Sequence, residues 1–179
     1  MRKFTPDEMQ NKKRSVQSVK NKSRHPIVLV LDNLRSAHNV GAIFRTADAA
    51  LLEKIYLVGV TPRPPSAHID KTALGATDVV TWQYFETITV ALEDLKKSGY
   101  TVVSLEQTDA SISYSSEKVF LKKEFPIALI VGNEISGVSQ NALDVSDYSV
   151  DIPMYGRASS LNVATATGIV VYDMIRRLT

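Results

Sequence analysis

Residues 27–60 read IVLVLDNLRSAHNVGAIFRTADAALLEKIYLVGV, which is a pattern of strand, helix and strand. Ile27–Leu31 and Ile55–Val60 are short, continuous apolar runs, typical of strands that are buried on both faces. Between them, Asn39–Leu52 carries apolar residues at helical spacing. A helix between two buried strands predicts that the strands are parallel neighbours in one sheet.

The same alternation continues along the rest of the chain. Further strands are predicted at Val79–Phe85, Thr101–Leu105, Ile127–Val131 and Tyr148–Ile152, and further helical segments at Lys71–Ala76, Ile88–Lys97, Val138–Val145 and Leu161–Leu178. This alternation predicts an α/β fold with a mostly parallel sheet and helices on both faces. The 179 residues show no internal repeat, so we expect one domain over residues 26–179.

The first 25 residues differ in composition from the rest. They contain eight of the 21 lysines and arginines but only two of the 19 acidic residues, and they show little apolar periodicity. We therefore expect a basic N-terminal arm over residues 1–25. Contact with the phosphates of a nucleic acid is one interpretation of this charge, and a solvated terminus is the other.

Composition also excludes several classes of site. The chain has no cysteine, which excludes disulfides, a cysteine nucleophile and thiolate metal ligands. Its three histidines lack the spacing of metal ligands, so we expect no metal. No apolar run approaches the roughly 18 residues of a membrane helix, and the N-terminus lacks the apolar core of a signal peptide. We therefore expect a cytoplasmic protein that does not associate with a membrane.

The last predicted helix is apolar on two faces. One stripe includes Leu161, Gly168 and Ile175, and a second includes Val163 and Met174. Such a helix has to bury both faces, and a subunit interface would cover the second one. We therefore expect a homodimer, with burial of the whole helix inside its own domain as the alternative.

Two polar segments follow predicted strands, where open α/β sheets bind ligands. Residues 32–45 read DNLRSAHNVGAIFR, in which Asn39 is placed to cap a helix and Gly41 permits close backbone approach. Arg45 follows Asn39 by nearly two turns, so we expect the two side chains to address neighbouring places. Residues 132–137 read GNEISG, a tight loop that lacks the Lys-Ser/Thr pair of a Walker motif.

A third segment, residues 152–162, reads IPMYGRASSLN. Its proline and glycine indicate an irregular loop, Ser159 and Ser160 can cap the last helix, and Asn162 falls in the first turn of that helix. Taken singly, each of the three segments is equally compatible with an ordinary cap or turn.

Together and in this order, the three segments resemble the signature motifs of the SpoU (TrmH) family, a branch of the SPOUT RNA methyltransferases. The motifs are N-x-G-x-x-x-R, then G-N-E-x-x-G after a hydrophobic strand, then I-P-M-x-G-x-x-S-S-L-N-V, and the resemblance extends from Pro26 to Leu178. It implies a C-terminal deep trefoil knot and a homodimer. It also implies transfer of a methyl group from S-adenosyl-L-methionine to a ribose 2′-hydroxyl of tRNA or rRNA, with guanosine as the expected nucleotide.

The resemblance assigns roles to residues at the motif positions. Five positions correspond to catalytic residues of the family: Asn39, Arg45, Glu134, Ser160 and Asn162. Five others correspond to contacts with the methyl donor, which family members bind mainly through the backbone: Leu105, Gly132, Ile152, Met154 and Leu161. Three residues beside the motifs are candidates for RNA contact, with surface solvation as the alternative: Arg35, His38 and Arg157.

These residue types suit methyl transfer to a hydroxyl. The 2′-oxygen has to be held near the methyl carbon, which supplies roughly 7–11 kcal/mol through positioning alone, and it has to lose its proton. In the family, the arginine at the Arg45 position is often assigned as the base. A guanidinium with a pKa above about 12 rarely gives up its proton, so a clamp on the adjacent phosphate is the other interpretation of Arg45.

Two other functions compete with this one. A catalytically silent RNA-binding module on the same fold is disfavoured by the presence of Asn39, Arg45, Glu134 and Asn162. An unrelated doubly wound nucleotide-binding domain is disfavoured by the missing Walker and dinucleotide fingerprints.

Overall fold

A seven-stranded sheet organises the chain. The computed structural model describes residues 1–5, 7–8 and 15–179. The strands are β1 (His25–Asp32), β2 (Leu52–Val58), β3 (Thr81–Phe85), β4 (Thr101–Leu105), β5 (Ile112–Ser113), β6 (Ile127–Gly132) and β7 (Tyr148–Asp151). The α-helices are α1 (Val16–Lys20), α2 (Ala37–Ala49), α3 (Ala67–Ala73), α4 (Ile88–Lys97), α5 (Gln140–Leu143) and α6 (Val163–Leu178). Short 3-10 helices lie at Ala76–Asp78 and Lys122–Glu124.

Hydrogen bonds order the strands β3-β2-β1-β6-β4-β7-β5, and all pairings between these strands are parallel. The predicted α/β fold class is therefore confirmed. β6 lies between β1 and β4, and β7 lies between β4 and β5. The C-terminal third of the chain thus inserts strands inside the sheet, an order consistent with the trefoil knot, which stays a prediction.

Helices cover both faces of the sheet, as the continuous apolar runs predicted. In β1, Ile27, Leu29 and Leu31 pack with α2, α3 and α6, whereas Val28 and Val30 pack with α4 and α5. All five side chains are fully buried. A strand enclosed on both faces needs an apolar residue at every position, which is why the run has no polar alternation.

Two helices begin at residues other than those predicted. The N-cap of α2 is Ser36 and not Asn39, because the Ser36 Oγ accepts a hydrogen bond from the Asn39 N–H at 3.3 Å. The N-cap of α6 is Asn162, and neither Ser159 nor Ser160 caps it. The Asn162 Oδ1 accepts hydrogen bonds from the backbone N–H groups of the second and third residues of the helix, at 3.0 and 3.3 Å. Apolar periodicity locates the buried turns of a helix but not its first turn, where the cap decides.

Residues with positive φ account for two further differences between the predicted and observed bounds of the elements. β2 begins at Leu52, earlier than the predicted Ile55, because α2 ends at Ala49 and Leu51 (φ 49°) turns the chain directly into the strand. α3 ends at Ala73 because Leu74 and Gly75 both adopt positive φ, at 50° and 89°. This helix therefore lies earlier in the chain than predicted.

The last helix buries residues of both predicted apolar stripes within the chain, since Ile175 and Val163 both pack against the core. Val170, Val171 and Met174 are fully buried, whereas Leu161, just before the helix, and Tyr172 are 40% and 54% exposed. The homodimer that would cover the exposed side stays a prediction. Among the described residues, no helix combines the length and apolarity needed to cross a membrane.

Arg24 belongs to the domain and not to the arm in which the sequence placed it. Its guanidinium donates to the carbonyl oxygens of Leu52 and Val79 at 2.9 and 3.0 Å, which ties the start of β1 to two later segments. Three other basic residues assigned to the arm, Lys12, Lys13 and Arg14, lie outside the described residues.

Candidate active site

A cavity of about 600 Å³ opens at one edge of the sheet. It lies at the carboxyl ends of β4, β6 and β7, since Leu105, Gly132 and Asp151, the last residues of these strands, all line it. The volume falls in the range of about 300–1,000 Å³ that is usual for small-molecule sites. Parallel strands bring the segments that follow them to one edge, so three distant parts of the sequence meet here.

The structure brings most of the predicted site residues to this cavity. All five residues predicted to contact the methyl donor line it: Leu105, Gly132, Ile152, Met154 and Leu161. Three residues predicted to be catalytic line it as well: Glu134, Ser160 and Asn162. Asn39 is hydrogen-bonded to Glu134 and Asn162 at the rim of the cavity. The individual roles of these residues stay predictions.

The floor of the cavity requires glycine at position 132. A Cβ atom there would lie 2.1 Å from the backbone carbon of Gly137 and 2.1 Å from the nitrogen of Val138. The loop between them is closed by two backbone hydrogen bonds of 2.9 Å between Asn133 and Gly137. The Asn133 side chain also donates to the Asn33 carbonyl at 2.7 Å, which fixes the loop to the end of β1. The second motif is therefore a closely packed loop that holds Glu134 in one position.

Glu134 accepts three hydrogen bonds from the segment 32–45, which contains the first motif. Its carboxylate receives the backbone N–H groups of Arg35 and Ser36 at 2.9 and 3.0 Å and the Asn39 amide at 2.8 Å. Partial desolvation of the carboxylate is the largest individual influence and raises the pKa, but hydrogen bonds from the Arg35 backbone, the Asn39 amide and the backbone of Glu134 and Ser36 together outweigh it and lower the pKa below its usual value. Glu134 is therefore ionised at neutral pH and interacts favourably with the N-terminus of α2.

Asn39 and Asn162 continue this chain of hydrogen bonds to the third motif. The Asn162 amide donates to the Asn39 Oδ1 at 3.0 Å, and the Asn162 Oδ1 caps α6. Each amide has two N–H groups, and each uses one of them in a bond to another side chain. The second N–H of both residues has no partner in the described part of the chain and can hold a ligand oxygen at the rim of the cavity.

The segment 152–161 leaves its backbone groups available. In the described structure, its only hydrogen bond to the rest of the chain runs from the Gln107 side chain to the Ser159 carbonyl, at 2.9 Å. Backbone N–H and C=O groups need partners, so the remaining ones in this segment are satisfied by solvent or by a ligand. A ligand bound mainly through the backbone fits this wall of the cavity.

Arg45 lies apart from the other predicted catalytic residues. It lines a second, smaller cleft of about 410 Å³, together with Lys71 and Tyr172, that shares no lining residue with the cavity. Six positions along a helix correspond to a rotation of about 240°. Arg45 therefore projects from a different side of α2 than Asn39, and the expectation that the two address neighbouring places in one chain was wrong.

The three residues predicted to touch RNA are all exposed. Arg35 is adjacent to the rim, since its backbone N–H contacts Glu134. The ring of His38 lies edge-on to that of His68, with 6.2 Å between centroids. Arg157 lies on the exposed segment between β7 and α6. Their contact with RNA stays a prediction.

Sequence reasoning missed Glu106 and Gln107, which follow β4 and line the cavity. The Glu106 carboxylate accepts the N–H groups of Val138 and Gln107 at 2.8 and 2.9 Å. Their position directly after the buried strand β4 could have indicated them, because the other candidate segments were chosen for the same position after a predicted strand. With Glu134 and Asp151, Glu106 gives the cavity three carboxylates, and no lysine, arginine or histidine lines it in the described part of the chain.

No group of three or more potential metal ligands occurs among the residues that the structure describes. The cavity and its rim carry three carboxylates, two asparagine amides and the open backbone of residues 152–161.

Comparison with known proteins extends over nearly the whole chain. A sequence model of the SpoU rRNA Methylase family matches residues 26–172. The tRNA (guanosine(18)-2′-O)-methyltransferase of Aquifex aeolicus is 30% identical over 172 residues, which cover 94% of this chain and 78% of that protein. A TrmH-family protein of Staphylococcus haemolyticus is 29% identical over 162 residues, which cover 90% of this chain and 63% of that protein.

Solved structures share the fold. The TrmH/SpoU tRNA modifying enzyme of A. aeolicus superposes with a TM-score of 0.79 at 29% identity, covering 90% of this chain and 80% of that one. An AdoMet-bound rRNA methyltransferase from Sinorhizobium meliloti gives a TM-score of 0.78 at 30% identity, covering 90% of this chain and 60% of that one. The chain thus spans about three fifths of the length of some relatives and about four fifths of others.

Proposed function

The chain belongs to the SpoU rRNA methylase family, and we propose that it transfers a methyl group from S-adenosylmethionine to a ribose 2′-hydroxyl of tRNA or rRNA. One observation carries this proposal. The hydrogen-bonded chain Glu134–Asn39–Asn162 joins the three motifs at the rim of one cavity. A silent RNA-binding module would have no need for these polar side chains in a defined geometry beside a cavity of cofactor size.

The cavity fits S-adenosylmethionine in three respects. Its volume of about 600 Å³ suits a ligand of this size. The free backbone groups of residues 152–161 suit a ligand bound through the main chain, and the carboxylates suit a cation. When bound, the cofactor supplies a methyl carbon on a positively charged sulfur. An AdoMet-bound structure of the S. meliloti relative supports the assignment.

The residues at the rim orient the ribose. Glu134 stays ionised and holds the Asn39 amide, and Asn162 holds the Asn39 oxygen. The second N–H groups of Asn39 and Asn162 then donate to oxygens of the target nucleotide. A rigid set of donors supplies positioning without reorganisation during the reaction. The Ser160 hydroxyl, which also lines the cavity, is placed to contact the same nucleotide.

We further propose that Arg45 acts in a homodimer, where it reaches the cavity of the second copy. Arg45 lies outside the cavity of its own chain, in a cleft with Tyr172 of α6, whose side chain is 54% exposed. As a permanently charged group with a forked donor, it suits a clamp on the phosphate next to the target ribose. Sedimentation at micromolar concentration is expected to give a dimer, and a monomer of about 20 kDa would contradict this part of the proposal.

Guanosine is the proposed target nucleotide. The A. aeolicus relative, which methylates a guanosine of tRNA according to its name, supports this choice at 30% identity. The basic arm supports an RNA substrate, because Lys and Arg side chains neutralise phosphates.

The deciding experiment compares RNA from cells with and without this protein. Mapping of 2′-O-methyl groups is expected to show one or a few sites that disappear without the protein and return when the purified protein acts on the RNA in the presence of S-adenosylmethionine. Calorimetric titration with S-adenosylmethionine, ATP and NAD accompanies the mapping. Binding of ATP or NAD alone would favour an unrelated nucleotide-binding domain, and cofactor binding with an unchanged methylation map would favour a silent module.

A further inference from the structure

The segment 152–161 forms one wall of the cavity, and beyond Ile152, which packs against the core, it has little support from the rest of the described chain. Residues 155–161 are exposed without interruption, yet Ser159, Ser160 and Leu161 line the cavity. In the described structure, the bond from the Gln107 Nε2 to the Ser159 carbonyl is the one hydrogen bond that holds this segment in place. At one end the segment is continuous with β7, and at the other with the cap of α6.

Gln107 donates this bond from a rigid base. Leu105 lies in register with Val131 and Val150 on its two neighbouring strands. The Glu106 N–H donates to the Val150 carbonyl at 2.9 Å, and both carboxylate oxygens of Glu106 accept backbone N–H groups. The backbone at Gln107 is therefore fixed on one side of the cavity, while its side chain reaches to the other side.

We propose that Gln107 is a positioning residue that holds the segment 152–161 closed on the methyl donor and thereby sets how long the cofactor stays bound. The inference rests on the proposed function. Without the bond, the segment samples open conformations, and cofactor binding has to order it again. Affinity and residence time then fall. Asn162 is held separately by Asn39 and by its cap on α6, so the chemistry at saturating cofactor remains nearly unchanged.

The test replaces Gln107 by Met, which keeps the length of the side chain but removes the N–H donor. One hydrogen bond contributes about 0.5–1.5 kcal/mol, which corresponds to a change of about 2- to 12-fold in affinity. We expect the dissociation rate of S-adenosylmethionine and of S-adenosylhomocysteine, and the KM for the cofactor, to rise within this range. With RNA from cells that lack the protein, kcat is expected to stay within about twofold.

The matched control is Gln83→Met, on the exposed edge strand β3, where no change is expected. Gln107→Asn keeps the amide but shortens the side chain, and it is expected to behave like Gln107→Met. A melting temperature within a few degrees of that of the unaltered protein shows that each variant folds.

Unchanged dissociation rates and KM in both variants would overturn the inference. A fall in kcat at constant KM would also overturn it, because Gln107 would then act on the chemistry. If the unaltered protein binds no S-adenosylmethionine, with or without RNA, the proposed function itself fails, and this outcome is distinct from a failure of Gln107.

Discussion

Replacement of Glu134 by Gln tests whether the carboxylate holds the first motif in place. Three donors point at Glu134 from 2.8 to 3.0 Å. A glutamine offers one oxygen to them and turns its NH2 group toward at least one of the N–H donors. A hydrogen bond to a charged group contributes about 1.5–3 kcal/mol, but solvent screens and partly replaces the bonds of an exposed carboxylate. We therefore expect a loss of about 1–2 kcal/mol in the free energy of unfolding.

The contribution of Glu134 to the free energy of unfolding decreases as the pH falls. The pKa of Glu134 is lower in the folded chain than in the unfolded one. Its contribution is therefore fully present above the unfolded value of about 4.3 and is lost as the pH falls through the lower, folded value. At neutral pH the variant is expected to melt about 2–8 °C below the unaltered protein, and this difference is expected to shrink in acid.

The assay is thermal or urea unfolding of both proteins between neutral pH and pH 3. Glu117→Gln is the control, since Glu117 is exposed and has no hydrogen-bond or ion-pair partner among the described residues; a change of less than about 0.5 kcal/mol is expected at each pH. Two results would refute the reasoning. One is an equal free energy of unfolding for Glu134→Gln and the unaltered protein at neutral pH, and the other is a difference that stays constant down to pH 3. Single-turnover methyl transfer is expected to fall in parallel, because Asn39 loses its anchor.

Five more substitutions test the cavity, Arg45 and two basic residues that precede β1. Gly132→Ala forces a Cβ to within 2.1 Å of backbone atoms and is expected to cost about 3 kcal/mol or more in urea unfolding, whereas Gly156→Ala, with nothing within 4 Å, is expected to be neutral. Arg45→Lys is expected to lower single-turnover methyl transfer at least about a hundredfold, roughly 2.7 kcal/mol, with nearly constant cofactor affinity; a folded variant with near-normal turnover would remove Arg45 from the mechanism. Lys22→Ala is expected to reduce the salt dependence of RNA binding by somewhat less than one unit of the log–log slope. Arg24→Ala is instead expected to lower the melting temperature, because two carbonyl contacts are lost.

The sheet could be predicted from the sequence because burial on both faces leaves a local signature. Ile27–Leu31 and Ile127–Val131 are uninterrupted apolar runs, and each is a fully buried strand. The meeting of the three motifs at one edge also followed from the sequence, since parallel strands all end there. Eight of the predicted site residues line the cavity, although the hydrogen bonds between them were not predicted and their roles stay predictions.

The rest depended on geometry that the sequence does not display locally. Arg45 does not lie beside Asn39 because six residues fall short of two full turns, which places Arg45 about 240° around α2 from Asn39. The caps at Ser36 and Asn162 depend on which side chain reaches a free N–H, and periodicity does not contain that information. The role of Gln107 could not be predicted because its partner is the backbone carbonyl of a residue 52 positions away. Every residue has such a carbonyl, so no side chain in the sequence marks Ser159 as the acceptor.

The hydrogen bonds that join Glu134, Asn39 and Asn162 connect positions 95 and 123 residues apart. During synthesis, the chain leaves the ribosome from its N-terminus, so Asn39 emerges long before either partner exists. An incompletely synthesised chain can bury much of its apolar surface and still lack the rim of its active site. The rim that the proposed function requires is therefore complete only after Asn162 and α6 have emerged and Asn162 has bonded to Asn39.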